Sequence, residues 1–253
     1  MVKTRAMPCL LASNGGLYKT VKFRSATYVG DPINAIKIFN EKEVDEIVVL
    51  DITATSSGRG PDMSLIRDIA GECFMPLCYG GGIHDVKTAR AVLELGAEKI
   101  SLNAAAARTP QLIGEIAREC GSQAVVVSID AKRSLWGKYE VMIDGGKKGT
   151  GLSALEFAKR AESLGAGELL LTAIDREGTW DGYDLELLAQ VTAGVRIPVI
   201  ANGGAGSVKH LADAARVGGA SAVAMGSMCV FQKKGLGVLI SFPKRAELDA
   251  ALP

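Results

Sequence analysis

The chain has 253 residues, 48% of them hydrophobic and 5% aromatic, and a formal net charge of +1. So even a balance gives no long-range field that would gather nucleic acid or an anionic membrane, and no apolar run reaches the roughly 18 residues that a membrane-spanning helix needs. Five cysteines with no CxxC or metal-ligand spacing, and only two histidines, His84 and His210, argue against a disulfide framework, a histidine-built metal site or a histidine triad.

The odd thiol count, inside apolar runs, suits reduced core cysteines and a cytoplasmic location. The opening residues, MVKTRAMPCLL, are too short for a leader peptide. The length fits one domain, residues 1–253, and aliphatic richness with few aromatics suits a buried parallel sheet wrapped by helices.

Short continuous apolar runs mark strands, and longer runs of 3.6-residue period mark helices. Met7–Leu11 is the first expected strand. Ala12–Gly30 follows as a long irregular stretch with basic residues at Lys19, Lys22 and Arg24, and long loops in compact domains tend to be functional. Asp31-Pro32 caps and opens a helix to about Glu43. Strands are then expected at Ile47–Asp51, Leu77–Tyr79, Lys99–Leu102, Gln123–Asp130, Glu168–Thr172, Val199–Ala201 and Ala222–Met225. Helices are expected at Pro61–Cys73, Asp85–Leu95, Pro110–Glu119, Ser153–Leu164, Asp184–Thr192 and Ser207–Val217. A hairpin over Lys138–Ile143, turning at Asp144-Gly145-Gly146, decorates the loop after the fifth strand. In the tail, Val238–Phe242 reads as extended, and Pro243 opens a short helix.

One stretch occurs twice. PLCYGGGIHDVKTARAVLELGAEKISLNAA (76–105) and PVIANGGAGSVKHLADAARVGGASAVAMGS (198–227) share their punctuation. Gly81 and Gly82 match Gly203 and Gly204, Gly96 matches Gly218, and Glu46 matches Glu168, all at one offset of about 120 residues. Two matching halves of about four strand-helix units each point to an α/β fold of the (β/α)8 barrel kind rather than a doubly wound open sheet.

In such a barrel the working face lies at the carboxyl ends of the strands. Gly203, Gly204, Gly226 and Ser227 stand where barrels commonly hold phosphate, after strands seven and eight. The repeat supplies a second such corner at Gly81, Gly82, Asn103 and Ala104. Bare N–H groups at helix starts attract anions, so the two corners suit an elongated ligand with a phosphate at each end. The alternative is that these glycines only make tight turns. Asp51, Asp130 and Thr172 also end strands on this face. A carboxylate there either works or is bonded to a neighbouring loop. Leu11 ends the first strand where Asp130 ends the fifth, and leucine transfers no proton, so a paired-carboxylate acid–base site lacks a member. Lys19 either folds over a phosphate or stays solvated. At the opposite face Arg5, Glu46, Lys99 and Glu168 each precede a strand. They either converge into a ring or are ordinary strand-start charges.

Several segments carry a resemblance to a known family. VGDP (29–32), DITA (51–54), GGGIHD (80–85), SQAVVVSIDAKR (122–133), GAGELLLTAIDREGT (165–179), GYD (182–184) and GGAG (203–206) resemble the cyclase subunit of imidazole glycerol phosphate synthase. The likeness runs from Arg5 to about Phe231. It implies a (β/α)8 barrel that docks a class I glutaminase on its N-terminal face and passes ammonia through the bore to a bisphosphate substrate on top, with no cofactor. It assigns a gate to Arg5, Glu46, Lys99 and Glu168, and phosphate binding to Gly82, Asn103, Gly203, Gly204, Gly226 and Ser227. Lys19 matches its loop lysine and Asp130 one of its two catalytic aspartates. Leu11 replaces the other, and Glu177 stands where the family usually has aspartate.

The first loop, PCLLASNGGLYKTVKF, and the tail, GVLISFPKR, look instead like the cyclase-like proteins of surface-polysaccharide clusters that take part in acetamidino-sugar formation. That branch implies an ATP-dependent sugar amidotransferase as a further partner. Three expectations follow: an ammonia-supplying subunit for amidation of a nucleotide-linked sugar, a cyclase of histidine biosynthesis, or a non-catalytic scaffold.

Overall fold

The computed structural model describes residues 3–253; Met1 and Val2, which open the segment read against a leader peptide, lie outside the described residues. β1 (Arg5–Ser13) runs into an antiparallel ribbon, β2 (Gly16–Val21) and β3 (Arg24–Gly30), and then α1 (Pro32–Glu41). β4 (Ile47–Asp51), α2 (Met63–Glu72), β5 (Leu77–Gly80), α3 (Val86–Glu94), β6 (Lys99–Leu102), a short α4 (Ala104–Arg108) and α5 (Gln111–Cys120) follow. β7 (Val125–Arg133) extends into a second ribbon, β8 (Tyr139–Ile143) and β9 (Lys148–Ser153), which leads to α6 (Ala154–Ser163). β10 (Glu168–Ala173), α7 (Leu185–Thr192), β11 (Val199–Asn202), α8 (Val208–Arg216), β12 (Ala222–Met225), a short α9 (Ser227–Val230) and α10 (Arg245–Ala251) complete the order.

Strands β1, β4, β5, β6, β7, β10, β11 and β12 pair in parallel, each with the next, and β12 closes on β1. This is a (β/α)8 barrel. Side chains alternate across a strand, and that alternation builds the interior. Along β1, Met7 and Cys9 face the axis with Val48, Cys78, Val126, Leu170, Ile200, Ala222 and Ala224. Ala6 and Leu10 face outward with Ile47, Val49, Leu169 and Leu171, under the helices. The axial layers are apolar in the middle, so charge is confined to the two ends of the barrel.

The two halves also share their helix caps. Asp62 and Asp184 cap α2 and α7 with nearly equal backbone angles, ψ 91° and 92°, and Asp85 and Ser207 cap α3 and α8. Such a side-chain acceptor for an unpaired N–H contributes about 1 kcal/mol. The correspondence slips by one residue after α8. The left-handed turn at Gly96 (φ 111°) has its counterpart at Gly219 (φ 72°), one beyond the Gly218 that the sequence aligns with it.

Three expectations need correction. Ala12–Gly30 is not irregular: it forms the β2–β3 ribbon, whose outer strand is almost wholly exposed and so shows no apolar alternation. α4 and α9 were not expected, and at five and four residues they are too short for a periodic signal. Val238–Phe242 holds only an isolated bridge from Val238 to Phe231, although a helix does follow Pro243.

Candidate functional site

The carboxyl-end face opens into a cavity of about 370 Å³. Its floor is set by strand alternation. Leu11, Asp130, Thr172 and Asn202 line it at the upper ends of β1, β7, β10 and β11, with Cys9 beneath. Its walls include Gly81, Gly82 and Asn103 on one side and Gly203, Gly204, Gly226 and Ser227 on the other, so the two glycine corners share one chamber. Gly204 shows why glycine is needed: its φ is 112°, and a Cβ there would collide with the Gly182 carbonyl. Asn103 and Gly226, which open α4 and α9, have matching backbones, φ/ψ −115°/−87° and −101°/−88°.

The sequence-assigned residues differ in what already occupies them. The Asp51 carboxylate accepts from Thr53 N, Thr53 Oγ1 and Ala54 N at 2.9–3.0 Å, and Arg59 Nη2 donates to its second oxygen at 2.8 Å. It is bonded to its own loop. Asn103 Nδ2 donates to the Ser128 carbonyl at 3.1 Å, and Asn202 Nδ2 to Thr172 Oγ1 at 3.1 Å. Thr172 in turn bonds Asp130, which lowers the Asp130 pKa, but loss of hydration and the nearby charge of Glu177 outweigh it and raise that pKa to about 7. Asp130 therefore exchanges a proton near neutrality.

Lys19 is 6% exposed, so it is neither solvated nor free. The β2–β3 ribbon folds it inward until a Cβ on Gly226 would meet its Nζ, and Nζ lies 3.5 Å from Glu177 Oε1. Glu177 is the residue that sequence reasoning did not place in the site. Thr20 Oγ1 and Phe23 N donate to its Oε2 at 3.1 and 3.2 Å, and Lys22 N donates to its backbone carbonyl at 2.9 Å. Its Oε1 is buried without a hydrogen bond. Position 11 is hydrocarbon, as the sequence requires, and Glu177 enters the same chamber as Asp130 from the loop after β10.

At the opposite end Arg5, Glu46, Lys99 and Glu168 meet across the axis. Arg5 bonds both glutamates, and Lys99 Nζ reaches both at 2.9 Å. Burial disfavours the Lys99 ammonium, yet Glu168 and Glu46 outweigh it and its pKa rises above the usual lysine value; Arg5 shifts the same way for the same reasons. Among the described residues no group of three or more histidine, cysteine or acidic side chains is placed to hold a metal.

The model of the family described as "Histidine biosynthesis protein" matches residues 5–234. A protein of Pseudomonas aeruginosa provisionally named imidazole glycerol phosphate synthase subunit hisF2 is 49% identical over 98% of this chain and 99% of its own length. The chain belongs to the HisF-like family. A provisionally named subunit HisF of Leptospira borgpetersenii is 43% identical over the full length of both chains, and the imidazole glycerol phosphate synthase subunit HisF of Alkaliphilus metalliredigens is 44% identical over 90% of each. In this HisF-like chain the signal that would have found Glu177 is its place in DREGT, directly after a strand whose end already bears Thr172. The contacts that bring it to the ribbon span more than 150 residues of sequence and leave no local pattern.

Proposed function

We propose that this HisF-like chain is the ammonia-receiving subunit of a glutamine-dependent synthase. A glutaminase docks on the N-terminal face of the barrel. Ammonia enters at the Arg5–Glu46–Lys99–Glu168 gate, crosses the apolar bore and reaches the upper chamber. The observation that carries this reading is the gate itself: four charges converge on the axis beneath an apolar interior, where desolvation makes them costly unless the position is used. The destination we favour is amidation of a nucleotide-linked sugar in surface-polysaccharide synthesis, through an ATP-dependent amidotransferase. Leu11, which removes one half of the symmetric acid pair, supports that departure from ring-closing chemistry. Lys19 and the corners at Gly82, Asn103, Gly203, Gly204, Gly226 and Ser227 hold a phosphorylated small molecule.

A second reading is ring closure as in histidine biosynthesis. The presence of Glu177 beside Asp130 favours it, as do the names of the relatives. The test is reconstitution with a class I glutaminase. Glutaminase turnover should depend on this chain, and amide-labelled glutamine should pass its nitrogen to product in a pool of unlabelled ammonium. Glutaminase turnover indifferent to the chain, or complete dilution of the label, overturns ammonia delivery. A strain lacking the ring-closing subunit separates the destinations: growth without histidine supports the second, and no growth supports the first.

A further inference from the structure

We infer that the upper face of the barrel docks on an anionic lipid bilayer through two rigid apolar tips. Of the ten large apolar side chains exposed among the described residues, only Phe74 and Val217 lie in connections at the lower end. The rest stand on the upper face, and most belong to two hairpins. The first continues β7 past the chamber floor. Its turn, residues 134–137, leads into β8 and carries Leu135 and Trp136, which are 103% and 90% exposed. The second, residues 232–239, follows α9 and carries Leu236, Val238 and Leu239, each about half exposed. None of these five side chains packs against the core.

Both hairpins are held stiffly. Ser134 N donates to the Lys138 carbonyl at 2.7 Å, Gly137 N to the Ser134 carbonyl at 3.0 Å, and Lys138 N to Ser134 Oγ at 3.1 Å. In the second, Gln232 N donates to the Gly237 carbonyl at 3.0 Å and Leu239 N to the Val230 carbonyl at 2.9 Å. Each hairpin is also tied to the connection between β10 and α7 or to the first turn of α7. Lys234 Nζ reaches Asp181 Oδ1 at 3.1 Å, and Arg133 Nη2 reaches Glu186 Oε2 at 2.9 Å. The tips therefore stand on one face, on either side of one connection, and little conformational freedom is left to lose on docking.

The residues around the tips decide the occupant. Residues 132–138 and 232–239 hold five cations and no acidic side chain. Lys132, Lys138 and Lys233 are exposed and, among the described residues, unpaired. Lysine is depleted from the centres of protein–protein interfaces. At a bilayer it fits: tryptophan and leucine enter the headgroup boundary while lysine stems carry their charge to the lipid phosphates. The even charge of the whole chain hides this local excess, and attraction to an anionic surface acts within about 10 Å, the screening length near 0.1 M salt. Docked this way, the chamber mouth faces the headgroups. The Arg5–Glu46–Lys99–Glu168 end stays in solution, free for a glutaminase.

The test floats the purified chain with vesicles of phosphatidylcholine containing about one-third phosphatidylglycerol, and with phosphatidylcholine alone. The anionic vesicles should carry at least fivefold more protein, and tryptophan emission should move to the blue as Trp136 leaves water. Leu135→Ser combined with Trp136→Ser should cut flotation at least fivefold and abolish the blue shift. Both side chains lie outside the core, so circular dichroism should match wild type. Lys132→Glu combined with Lys138→Glu should lose flotation to a similar extent at unchanged apolar area. No flotation with anionic vesicles, equal flotation with both vesicles, or flotation that survives loss of Leu135 and Trp136 overturns the inference. Binding to bacterial inner membranes that protease treatment of those membranes removes, without binding to pure lipid, assigns the tips to a protein and overturns it as well. None of these outcomes involves ammonia, so the amidation and ring-closing readings are judged separately.

Discussion

The two ends of the barrel are built from the same side chains and use them in opposite ways. At the lower end two glutamates and two cations exchange four ion pairs, and the charges balance within the ring. At the upper end Asp130 and Glu177 lie in one chamber with Lys19; Asp130 holds its proton to about pH 7, and Glu177 keeps an oxygen without a donor. A satisfied buried network is rigid, whereas an unsatisfied one stores free energy that a ligand can release. The lower ring is therefore a rigid closure of the barrel, and the upper cluster is the end left open to a ligand.

Removing one member of the ring should give the largest effect. In Glu46→Ala, both Arg5 and Lys99 lose an acceptor that is almost completely buried. The stability lost should be about 3–5 kcal/mol, read as a fall in the urea midpoint at constant m-value. Because the folded-state pKa of Lys99 is raised, the ring's contribution is fully present below about pH 10, the unfolded lysine value, and is lost as pH rises through the folded value. The wild-type advantage over Glu46→Ala should therefore shrink on titration above pH 10.

Asp130→Asn should move stability the other way. A carboxyl whose folded pKa is near 7 binds its proton more tightly folded than unfolded, so wild type loses stability as pH rises from about 4 through 7. Asparagine cannot ionise. The variant should be more stable than wild type by on the order of 3 kcal/mol at pH 8, with the difference vanishing near pH 4. Thermal melts at the two pH values check this, and a variant less stable at pH 8 would break the contrast between the two ends. Leu11→Asp alone should give a smaller effect of opposite sign, a loss of about 1–3 kcal/mol at pH 8, because a further carboxylate enters a chamber already lined by Asp130 and Glu177 in place of a buried leucine.

The contrast explains what was legible in the sequence. The barrel could be read because it follows from period, each strand being a continuous apolar run; the ring of Arg5, Glu46, Lys99 and Glu168 could not be told from ordinary strand-start charges by spacing, and only the family resemblance assigned it. Position 11 could be read from period, as a strand end. The β2–β3 ribbon could not, since Arg24–Tyr28 is exposed and pairs with β2, which is itself held on the end of β1. Nor could the place of Glu177, which is fixed by Thr20 and Phe23 on that ribbon. What is missed is set by long-range closure of loops, and the upper cluster is made of such closures.

The smallest effect tests whether burial, and not pairing, separates the ring from other charges. Lys209 and Asp213 lie one turn apart on α8, with Nζ 2.6 Å from Oδ2, a shorter contact than Lys99 makes with either glutamate. Distance alone would make it the stronger pair. Yet the Lys209 side chain is 78% exposed against 18% for Lys99, so water and salt screen the attraction, and holding a long side chain in one rotamer costs entropy. Lys209→Ala should change stability by less than about 0.5 kcal/mol, and high salt should erase even that. A loss comparable to that of Glu46→Ala would mean that contact distance governs these pairs, and the rigidity assigned to the lower ring would then need another source.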